Sequence, residues 1–342
     1  MKDLARLNDI TRQYDQLTIA IVGDFCLDRY LEIDPALAEI SLETGLPVHN
    51  VVRVRSQPGA AGTVLNNLAA LGVGRLIPIG WCGDDGEGYE LRRALSQVPG
   101  VTLDAFVTEP SRRTFTYCKP LLMHPGAPPE ELNRLDSKNR LPTPSPLQEQ
   151  LCQSLRKIVE KLDAIVVMDQ TPTAETGTVT QQVKSCVMEL AERFPKLTVI
   201  ADSRRGLADW RTVGCKMNAA ELSELMGLDD SVGRDRVAAL ATELAARNQR
   251  PVFITMAEQG LIGATPEGQH HHVPAFPVSG PIDVVGAGDS VTANLACALA
   301  VGASISEALR LAAAASSIVI HQLGTTGTAN RTQIAELLNR SD

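Results

Sequence analysis

The stretch Gly280-Pro-Ile-Asp-Val-Val-Gly-Ala-Gly-Asp-Ser-Val-Thr-Ala-Asn-Leu295 places a glycine turn and a carboxylate directly at the start of a helix. The small, apolar run 291–301 predicts that helix, which ends at Gly302 as a helix with a C-terminal glycine does. The first N–H groups of a helix have no partners within it, so an anion can approach the turn at 286–288 closely. Asp289 would then lie beside that anion as a base, although Asp is also a favoured N-cap.

Buried strands alternate with helical patterns along most of the chain. Apolar runs predict strands at 18–22, 163–169, 197–201 and 251–256. Apolar residues at the 3.6-residue spacing predict helices at 147–162, 179–194, 219–226 and 234–248. This order predicts an α/β fold of three layers, with helices on both faces of a mostly parallel central sheet. In such sheets the ligand lies at the carboxyl ends of the strands.

Two segments interrupt this order, at about 29–58 and 110–122. Both contain alternating polar and apolar residues, which predict strands with one wet and one dry face. We interpret them as one small β lid inserted in a single domain that spans 1–342. A small sheet of this kind has an exposed apolar face and unpaired edges, so we expect a homodimer through the lid.

Composition narrows the class of protein. The 342 residues are 44% hydrophobic and carry a formal charge of −8, which argues against nucleic acid and anionic membranes as partners. No apolar run approaches the roughly 18 residues of a membrane span, and the N-terminal residues contain no apolar leader segment, so we expect a cytoplasmic protein. Seven widely spaced cysteines without a C-x-x-C pair fit reduced core thiols better than disulfides or a zinc site.

Several polar groups are candidates for ligand binding, each with a structural alternative. Asp24 and Asp28 follow the first strand and could accept hydrogen bonds from sugar hydroxyls, or could belong to a solvated turn. The segment 58–72 is a glycine-containing turn before a helix of small residues, which suits either a close ligand or helix packing. Asn218 and Glu221 share one helix face and could bind hydrated Mg²⁺, but the same pair makes a capping box.

Two arginine pairs could hold a phosphate group carried by the substrate. Arg204 and Arg205 follow a predicted strand at the ligand edge, and Arg112 and Arg113 begin a lid strand. Guanidinium groups bind phosphate through paired hydrogen bonds, although both pairs could equally be solvated.

Together these residues resemble the PfkB, or ribokinase-like, carbohydrate kinases over nearly the whole chain. The motifs occur in the family's order: Gly23-Asp24 with Asp28, the segment 59–72, Cys82-Gly-Asp-Asp-Gly86, Asn218-x-x-Glu221 and Asp283-Val-Val-Gly-Ala-Gly-Asp289. The chain is most similar to the D-glycero-D-manno-heptose 7-phosphate kinases, through Val22-Gly-Asp-Phe-Cys-Leu-Asp-Arg-Tyr30, Ile40-Ser-Leu-Glu-Thr-Gly-Leu-Pro-Val48, Asn133-Arg-Leu-Asp136 and Gln322-Leu-Gly-Thr325. No nucleotidyltransferase domain follows in the sequence, so we expect the kinase alone.

The resemblance implies a sugar kinase that uses ATP and Mg²⁺, with a place for K⁺. It implies that Asp289 takes the proton of the anomeric hydroxyl while Gly286, Ala287 and Gly288 stabilise the transferring phosphoryl group. The substrate residues implied are Asp24, Asp28, Gly59, Thr63, Asn67, Arg112 and Arg204. The nucleotide residues implied are Asn218, Glu221, Thr255, Glu258, Gly260 and Asp283, with Asn218 and Glu221 also holding Mg²⁺ through water.

Some positions depart from the family's pattern and leave the substrate open. Thr63 and Ala313 stand where an Asn is usual, Ala60 replaces the second glycine of a pair, and Asp202-Ser-Arg-Arg205 replaces Asp-Pro-Lys. Kinases of fructose phosphate, ribose or nucleosides, and a non-catalytic sugar-sensing protein, therefore remain alternatives. A nicotinamide oxidoreductase is disfavoured, because G-x-G-x-x-G does not follow the first strand.

Overall fold

The central sheet has nine strands, and their order confirms the predicted α/β fold. A computed structural model describes residues 2–228, 232–324 and 326–341. The sheet strands are β1 Thr18–Gly23, β6 Arg75–Gly83, β7 Phe106–Glu109, β11 Ala164–Asp169, β12 Thr198–Ser203, β13 Gly214–Asn218, β14 Val252–Thr255, β15 Leu261–Ala264 and β16 His270–Val273. Their order across the sheet is β16-β15-β14-β13-β12-β11-β1-β6-β7. The strands from β14 to β7 are parallel, and the β15–β16 hairpin completes one edge in antiparallel pairing. The carboxyl ends of seven strands therefore lie along one edge of the sheet.

Helices cover both faces of this sheet. They are α1 Lys2–Arg12, α2 Ala61–Ala70, α3 Gly86–Ser96, α4 Ser145–Ile158, α5 Gln181–Arg193, α6 Ala219–Leu225, α7 Arg234–Asn248, α8 Ala287–Ala300, α9 Ile305–Val319 and α10 Arg331–Ser341. In the part of the chain that the structure describes, none of them has both the length and the apolar character needed to cross a bilayer.

Alternation along the strands separates two hydrophobic cores. In β1, Ile19 and Ile21 pack with α1, α2, α8, α9 and α10, whereas Ala20 and Val22 pack with α4, α5 and α7 on the opposite face. Successive side chains of a strand point to opposite faces, so a strand buried on both sides is apolar throughout. The predicted strands and helices are confirmed, with boundaries that differ by at most four residues.

The helix after the glycine turn begins earlier than the sequence predicts. It starts at Ala287, with Gly286 as its N-cap, rather than at Val291. Asp289 consequently lies inside the first helical turn and does not cap the helix.

The small sheet contains more of the chain than the two predicted lid segments. It consists of β2 Phe25–Ile33, β5 Val51–Ala60, β8 Thr116–Leu122, β9 Glu130–Glu131 and β10 Leu135–Ser137, beside a short hairpin of β3 Glu39–Ile40 and β4 Pro47–Val48. Strand β2 pairs antiparallel to β5 and parallel to β8. Seven prolines between 120 and 146 predict a loop there, but this segment also supplies β9 and β10, which both pair with β8. That the chain 1–342 is one domain remains a prediction.

Candidate active site

The first turn of α8 lies at the carboxyl edge of the sheet. Gly286 adopts φ of 85°, a left-handed conformation that favours glycine, and it makes no side-chain capping bond. Ser290 N donates to Gly286 O at 3.0 Å, which closes the turn around Ala287 and Gly288. An α-helix leaves its first N–H groups without partners inside the helix, and the positive end of its dipole lies there. This turn can therefore hold an anion, as the sequence predicts.

A buried ion pair lies directly against this turn. Nζ of Lys216 on β13 is 2.8 Å from Oδ2 of Asp202 on β12, and both side chains are nearly inaccessible to solvent. Thr292 Oγ1 on α8 donates to the same Asp202 oxygen at 3.4 Å. A Cβ atom at Gly288 would lie 2.8 Å from Lys216 Nζ, so the absence of a side chain at Gly288 lets the ammonium group reach the helix terminus.

The carboxylate of Asp289 is half-buried in this charged environment. Burial raises its pKa to about 7, the nearby carboxylates of Asp202 and Asp28 add to the rise, and Lys216 and Arg204 oppose it. Within the described residues, no hydrogen bond reaches the Asp289 carboxylate. Asp289 is thus a carboxylate with a pKa near neutrality and no structural partner, which are the properties of a general base.

Asp28 on β2 faces the junction of the lid and the sheet. It is 8% exposed, and its one side-chain hydrogen bond comes from Cys26 Sγ at 3.9 Å, among the described residues. Burial raises the pKa of Asp28, and Lys119 and Arg134 oppose the rise. A Cβ atom at Gly59 would lie 2.5 Å from Asp28 Oδ2, so Gly59 makes room for this carboxylate. The structure brings the two residues together and leaves carboxylate oxygens for a ligand, and their binding of a substrate stays a prediction.

The predicted substrate residues at the start of α2 are buried. Asn67 is 1% exposed and its Nδ2 donates to Thr63 O in its own helix at 3.0 Å, and its contact with a substrate stays a prediction. Thr63 is also buried, at 3% exposed. Ala60 adopts φ of 54°, a conformation that favours glycine, so replacing the family's glycine here introduces backbone strain.

Both carboxylate oxygens of Asp24 accept hydrogen bonds from backbone N–H groups. Its Oδ2 accepts hydrogen bonds from Gln170 N and Thr171 N at 2.8 and 3.0 Å, and its Oδ1 accepts one from Thr178 N at 2.6 Å. Burial raises the pKa of Asp24, and these backbone donors oppose the rise. Asp24 therefore positions the loop after β11, and its binding of sugar hydroxyls stays a prediction.

The arginine pairs make contacts within the protein. Arg112 donates through Nη1 to Leu141 O at 3.0 Å and through Nη2 to Pro142 O, so it holds a loop, and its binding of a substrate phosphate stays a prediction. Arg205 forms an ion pair with Asp169 at 2.8 Å. Arg204 is exposed, and its one side-chain hydrogen bond to the part of the chain that the structure describes runs from Nε to Gln170 Oε1 at 2.7 Å. Of the four arginines, Arg204 best keeps donors for a substrate.

The Asn218–Glu221 pair forms a capping box at the start of α6. Glu221 N donates to Asn218 Oδ1 at 2.9 Å and Asn218 N donates to Glu221 Oε2 at 2.8 Å. The cap uses the only side-chain acceptor of Asn218, whereas Glu221 keeps Oε1 for a water molecule of hydrated Mg²⁺. Among residues 2–228, 232–324 and 326–341 no group of three or more His, Cys, Asp or Glu is arranged to hold a metal. A magnesium ion would therefore depend on Glu221 and on phosphate oxygens.

The other predicted nucleotide residues lie at or after the carboxyl end of β14, or just before the glycine turn of α8. Thr255 ends β14 and is the register partner of Asn218. Glu258 lies on the short 3₁₀ helix that follows, and Gly260 turns the chain into β15 with φ of 91°. Asp283 Oδ1 accepts from Val285 N at 3.0 Å just before the glycine turn. Thr325, the last residue of the Gln322 motif, lies outside the described residues.

Comparison with known proteins gives a family and a set of relatives. The model described as "pfkB family carbohydrate kinase" matches residues 214–332. "Bifunctional protein HldE" of Bradyrhizobium sp. is 29% identical over 93% of this chain and 63% of its own length. The protein of the same name from Gluconacetobacter diazotrophicus is 31% identical over 96% of this chain and 65% of its own length. The chain thus spans somewhat less than two thirds of these relatives.

Solved structures share the fold. A ribokinase of Arabidopsis thaliana complexed with ribose and ATP has a TM-score of 0.67 at 18% identity and covers 94% of this chain and 98% of its own. Phosphofructokinase-2 from Escherichia coli in complex with substrates and products has a TM-score of 0.71 at 20% identity, covering 95% of this chain and 99% of its own. At these identities the likeness shows a ribokinase-like fold.

The segment that matches the family model contains several of the candidate site residues. Residues 214–332 include β13 with Lys216, the capping box of α6 and the glycine turn with Asp289. The predicted class, a phosphotransferase with an alcohol group as acceptor, agrees with the description of the family model that these residues match. Residues 214–332 thus match the model described as "pfkB family carbohydrate kinase", and the chain has a ribokinase-like fold.

Proposed function

We propose that the protein is an ATP-dependent kinase that transfers the γ-phosphoryl group to the anomeric hydroxyl of a heptose 7-phosphate or a related sugar phosphate. The observation that carries this proposal is Asp289 in the first turn of α8, a carboxylate whose pKa burial raises to about 7 and which accepts no hydrogen bond from the described residues. The heptose motifs quoted from the sequence support the choice of sugar.

Each residue of the site has a different proposed role in the reaction. Phosphoryl transfer requires mainly in-line positioning and stabilisation of charge on the phosphoryl oxygens. Asp289 accepts the proton of the attacking hydroxyl, and Asp28 accepts hydrogen bonds from neighbouring sugar hydroxyls. The N–H groups of the glycine turn and the ammonium group of Lys216 stabilise the developing charge on the transferring group.

The nucleotide would reach this turn along the edge formed by β13 and β14. Thr255, Glu258, Gly260 and Asp283 are proposed to surround it, with Asn218 held in the capping box beneath it. Bound Mg²⁺ would neutralise charge between the β- and γ-phosphates, with Glu221 holding it through water. Asp283 Oδ2 receives no hydrogen bond from the described residues, which suits a monovalent cation such as K⁺ at this position.

A coupled assay of ADP release tests the proposed function. We expect MgATP turnover to be fastest with heptose 7-phosphate among a panel that includes fructose phosphates, ribose and nucleosides. Fastest turnover with another sugar of the panel would retain a PfkB-type kinase but change its substrate. ADP release at the background rate with every sugar would contradict the kinase and favour a sugar-sensing protein on the same fold.

The homodimer proposed from the sequence is supported by apolar side chains on the lid. Those exposed over more than a third of their surface are Leu37, Ile40, Leu42, Leu46, Val51, Val52, Val54 and Leu135. Sedimentation at micromolar concentration is expected to give a dimer, and Leu42→Asp with Val52→Asp is expected to give a monomer. Val278→Asp, at an exposed apolar residue outside the lid, is the control and should remain dimeric. A monomeric wild-type protein would contradict the proposal.

The remaining partners follow from charge and chemistry. The formal charge of −8 supports small anionic substrates held by local cations, with no role for nucleic acid or a membrane. All seven cysteines are free thiols, which supports a reducing compartment, and we propose the cytoplasm.

A further inference from the structure

A side-chain hydrogen bond joins the lid to the segment that packs on the glycine turn. Gln57 Nε2, on strand β5, donates to Thr326 Oγ1 at 2.8 Å, and both side chains are half-buried. The two residues are 269 positions apart in the chain, so the tertiary fold alone brings them together. Neither residue is among the proposed acceptor, nucleotide or metal contacts.

Thr326 packs directly on the residue that caps helix α8. A Cβ atom at Gly286 would lie 3.5 Å from Thr326 Cβ, which is an ordinary van der Waals contact. The residues after Thr326 are fixed by Gln322, whose Nε2 donates to Thr328 O at 2.7 Å and whose Oε1 accepts from Thr328 N at 3.2 Å. A displacement of Thr326 therefore changes the surface against which the anion-binding turn packs.

Gln57 lies on the same face of the lid as the carboxylate proposed to bind sugar hydroxyls. It is the register partner of Asp28 across β2 and β5, and side chains directly opposite each other in an antiparallel pair point to one face. The next two residues, Pro58 and Gly59, are buried, so the strand holds Gln57 in a fixed position. A sugar that orders Asp28 thus also orders Gln57.

The neighbouring residue of β5 makes a comparable bond on the opposite face of the lid. Ser56 Oγ donates to Glu90 Oε2 on α3 at 2.7 Å, and Arg29 Nη2 donates to Glu90 Oε1 at 2.9 Å. Successive side chains of a strand point to opposite faces. The lid is therefore attached to α3 on one face and to Thr326 on the other, and Thr326 contacts the glycine turn.

We propose that Gln57 is a positioning residue that couples acceptor binding at the lid to the conformation of the glycine turn, through Thr326. The inference rests on the proposed kinase function. The amide of Gln57 keeps Thr326 against Gly286, so a sugar bound at Asp28 and a phosphate group bound at the turn stabilise the same arrangement of these residues. Each ligand then strengthens the binding of the other by the same factor, because coupling between two sites is reciprocal.

The test is calorimetry with the nonhydrolysable nucleotide MgAMP-PNP and heptose 7-phosphate, each titrated alone and in the presence of the other. In the wild type we expect each ligand to raise the affinity for the other. Gln57→Ala and Thr326→Val are each expected to lower this coupling factor about three- to tenfold, as for loss of one hydrogen bond between neutral groups, while the affinities for single ligands change little. Thr326→Val keeps the shape of the side chain against Gly286. The double variant should lose no more than either single variant, because both remove the same bond.

Ser56→Ala removes the comparable bond on the opposite face and is the matched control, which should keep the wild-type coupling factor. Hydrogen exchange of the protein without ligands gives a second readout. We expect faster exchange at residues 284–290 in Gln57→Ala and in Thr326→Val, and wild-type exchange there in Ser56→Ala. A wild-type coupling factor in Gln57→Ala, or losses that add in the double variant, would overturn the role of Gln57.

Failure of the proposed function would give a different result. Coupled binding that depends on Gln57, without release of ADP from MgATP, would overturn the kinase reaction and leave the coupling in place. If heptose 7-phosphate does not bind, the proposed acceptor is wrong and hydrogen exchange tests the link alone. Unchanged exchange at residues 284–290 in Gln57→Ala would then overturn the link.

Discussion

Replacement of Asp289 by Asn is expected to lower kcat by about 10² to 10⁴, the usual cost of losing a positioned general base. Asn keeps the shape of the side chain but cannot accept the proton of the attacking hydroxyl. The helix should tolerate the change, because its N-cap is Gly286 and no structural hydrogen bond of the described residues uses the Asp289 carboxylate. Steady-state kinetics and circular dichroism on the same preparation separate lost catalysis from lost folding, and MgATP binding should persist.

Glu221→Gln is the contrasting variant for this experiment. Loss of a group that holds hydrated Mg²⁺ should be partly relieved by raising the Mg²⁺ concentration, whereas loss of the base in Asp289→Asn should not. A folded Asp289→Asn protein with wild-type turnover would show that the base lies elsewhere.

Lys216→Met is expected to lower kcat by about 10² and to move the acidic limb of the rate profile to higher pH. The first effect arises because Lys216 is a fixed cation at the anion-binding turn, and loss of one such donor has a cost of this order. The second arises because Lys216 lowers the pKa of Asp289. Without Lys216 the carboxylate holds its proton to higher pH, so the active, deprotonated base appears later as pH rises.

Asp202→Asn is expected to move the acidic limb of the rate profile in the opposite direction, to lower pH. The Asp202 carboxylate raises the pKa of Asp289, so its removal should move the acidic limb of kcat/KM below the wild-type position near pH 7. The other charged groups near Asp289, Arg204 and Asp28, are unchanged in both variants. Since each variant leaves one buried charge unpaired, folding is checked first, and the double variant removes both charges together. Identical pH profiles in all folded variants would contradict the assignment of Asp289 as the titrating base.

Local sequence was sufficient to predict the parts of the site that depend on local structure. The glycine turn before α8 and the carboxylate at Asp289 follow from residues that are adjacent in the chain. Asp28 and Gly59 were also predicted, because a carboxylate and a glycine after successive elements are typical of a ligand edge. The strands of the central sheet were predicted because strands buried on both faces form continuous apolar runs.

The remaining contacts depend on pairing between distant segments. Lys216 lies in the short strand Gly214–Asn218, whose sequence indicates only a buried strand. Its place in the site depends on the pairing with β12, which brings Asp202 beside it. One signal could have found it: a charged residue in the middle of an otherwise buried strand requires a partner. The sequence also does not show that Asp24 and Arg112 hydrogen-bond to backbone groups of loops more than 25 residues away.

The most direct test of the central claim is ³¹P NMR of the product formed from MgATP and heptose 7-phosphate by the wild type and by Asp289→Asn. For the wild type we predict a new phosphomonoester signal coupled to the anomeric proton, growing in step with the β-phosphate signal of ADP. For the folded Asp289→Asn protein we predict that this signal is nearly absent over the same time. Equal formation of the product by both proteins would contradict the role of Asp289 as the base. ADP formation by the wild type without any new sugar phosphate signal would contradict phosphoryl transfer to the sugar.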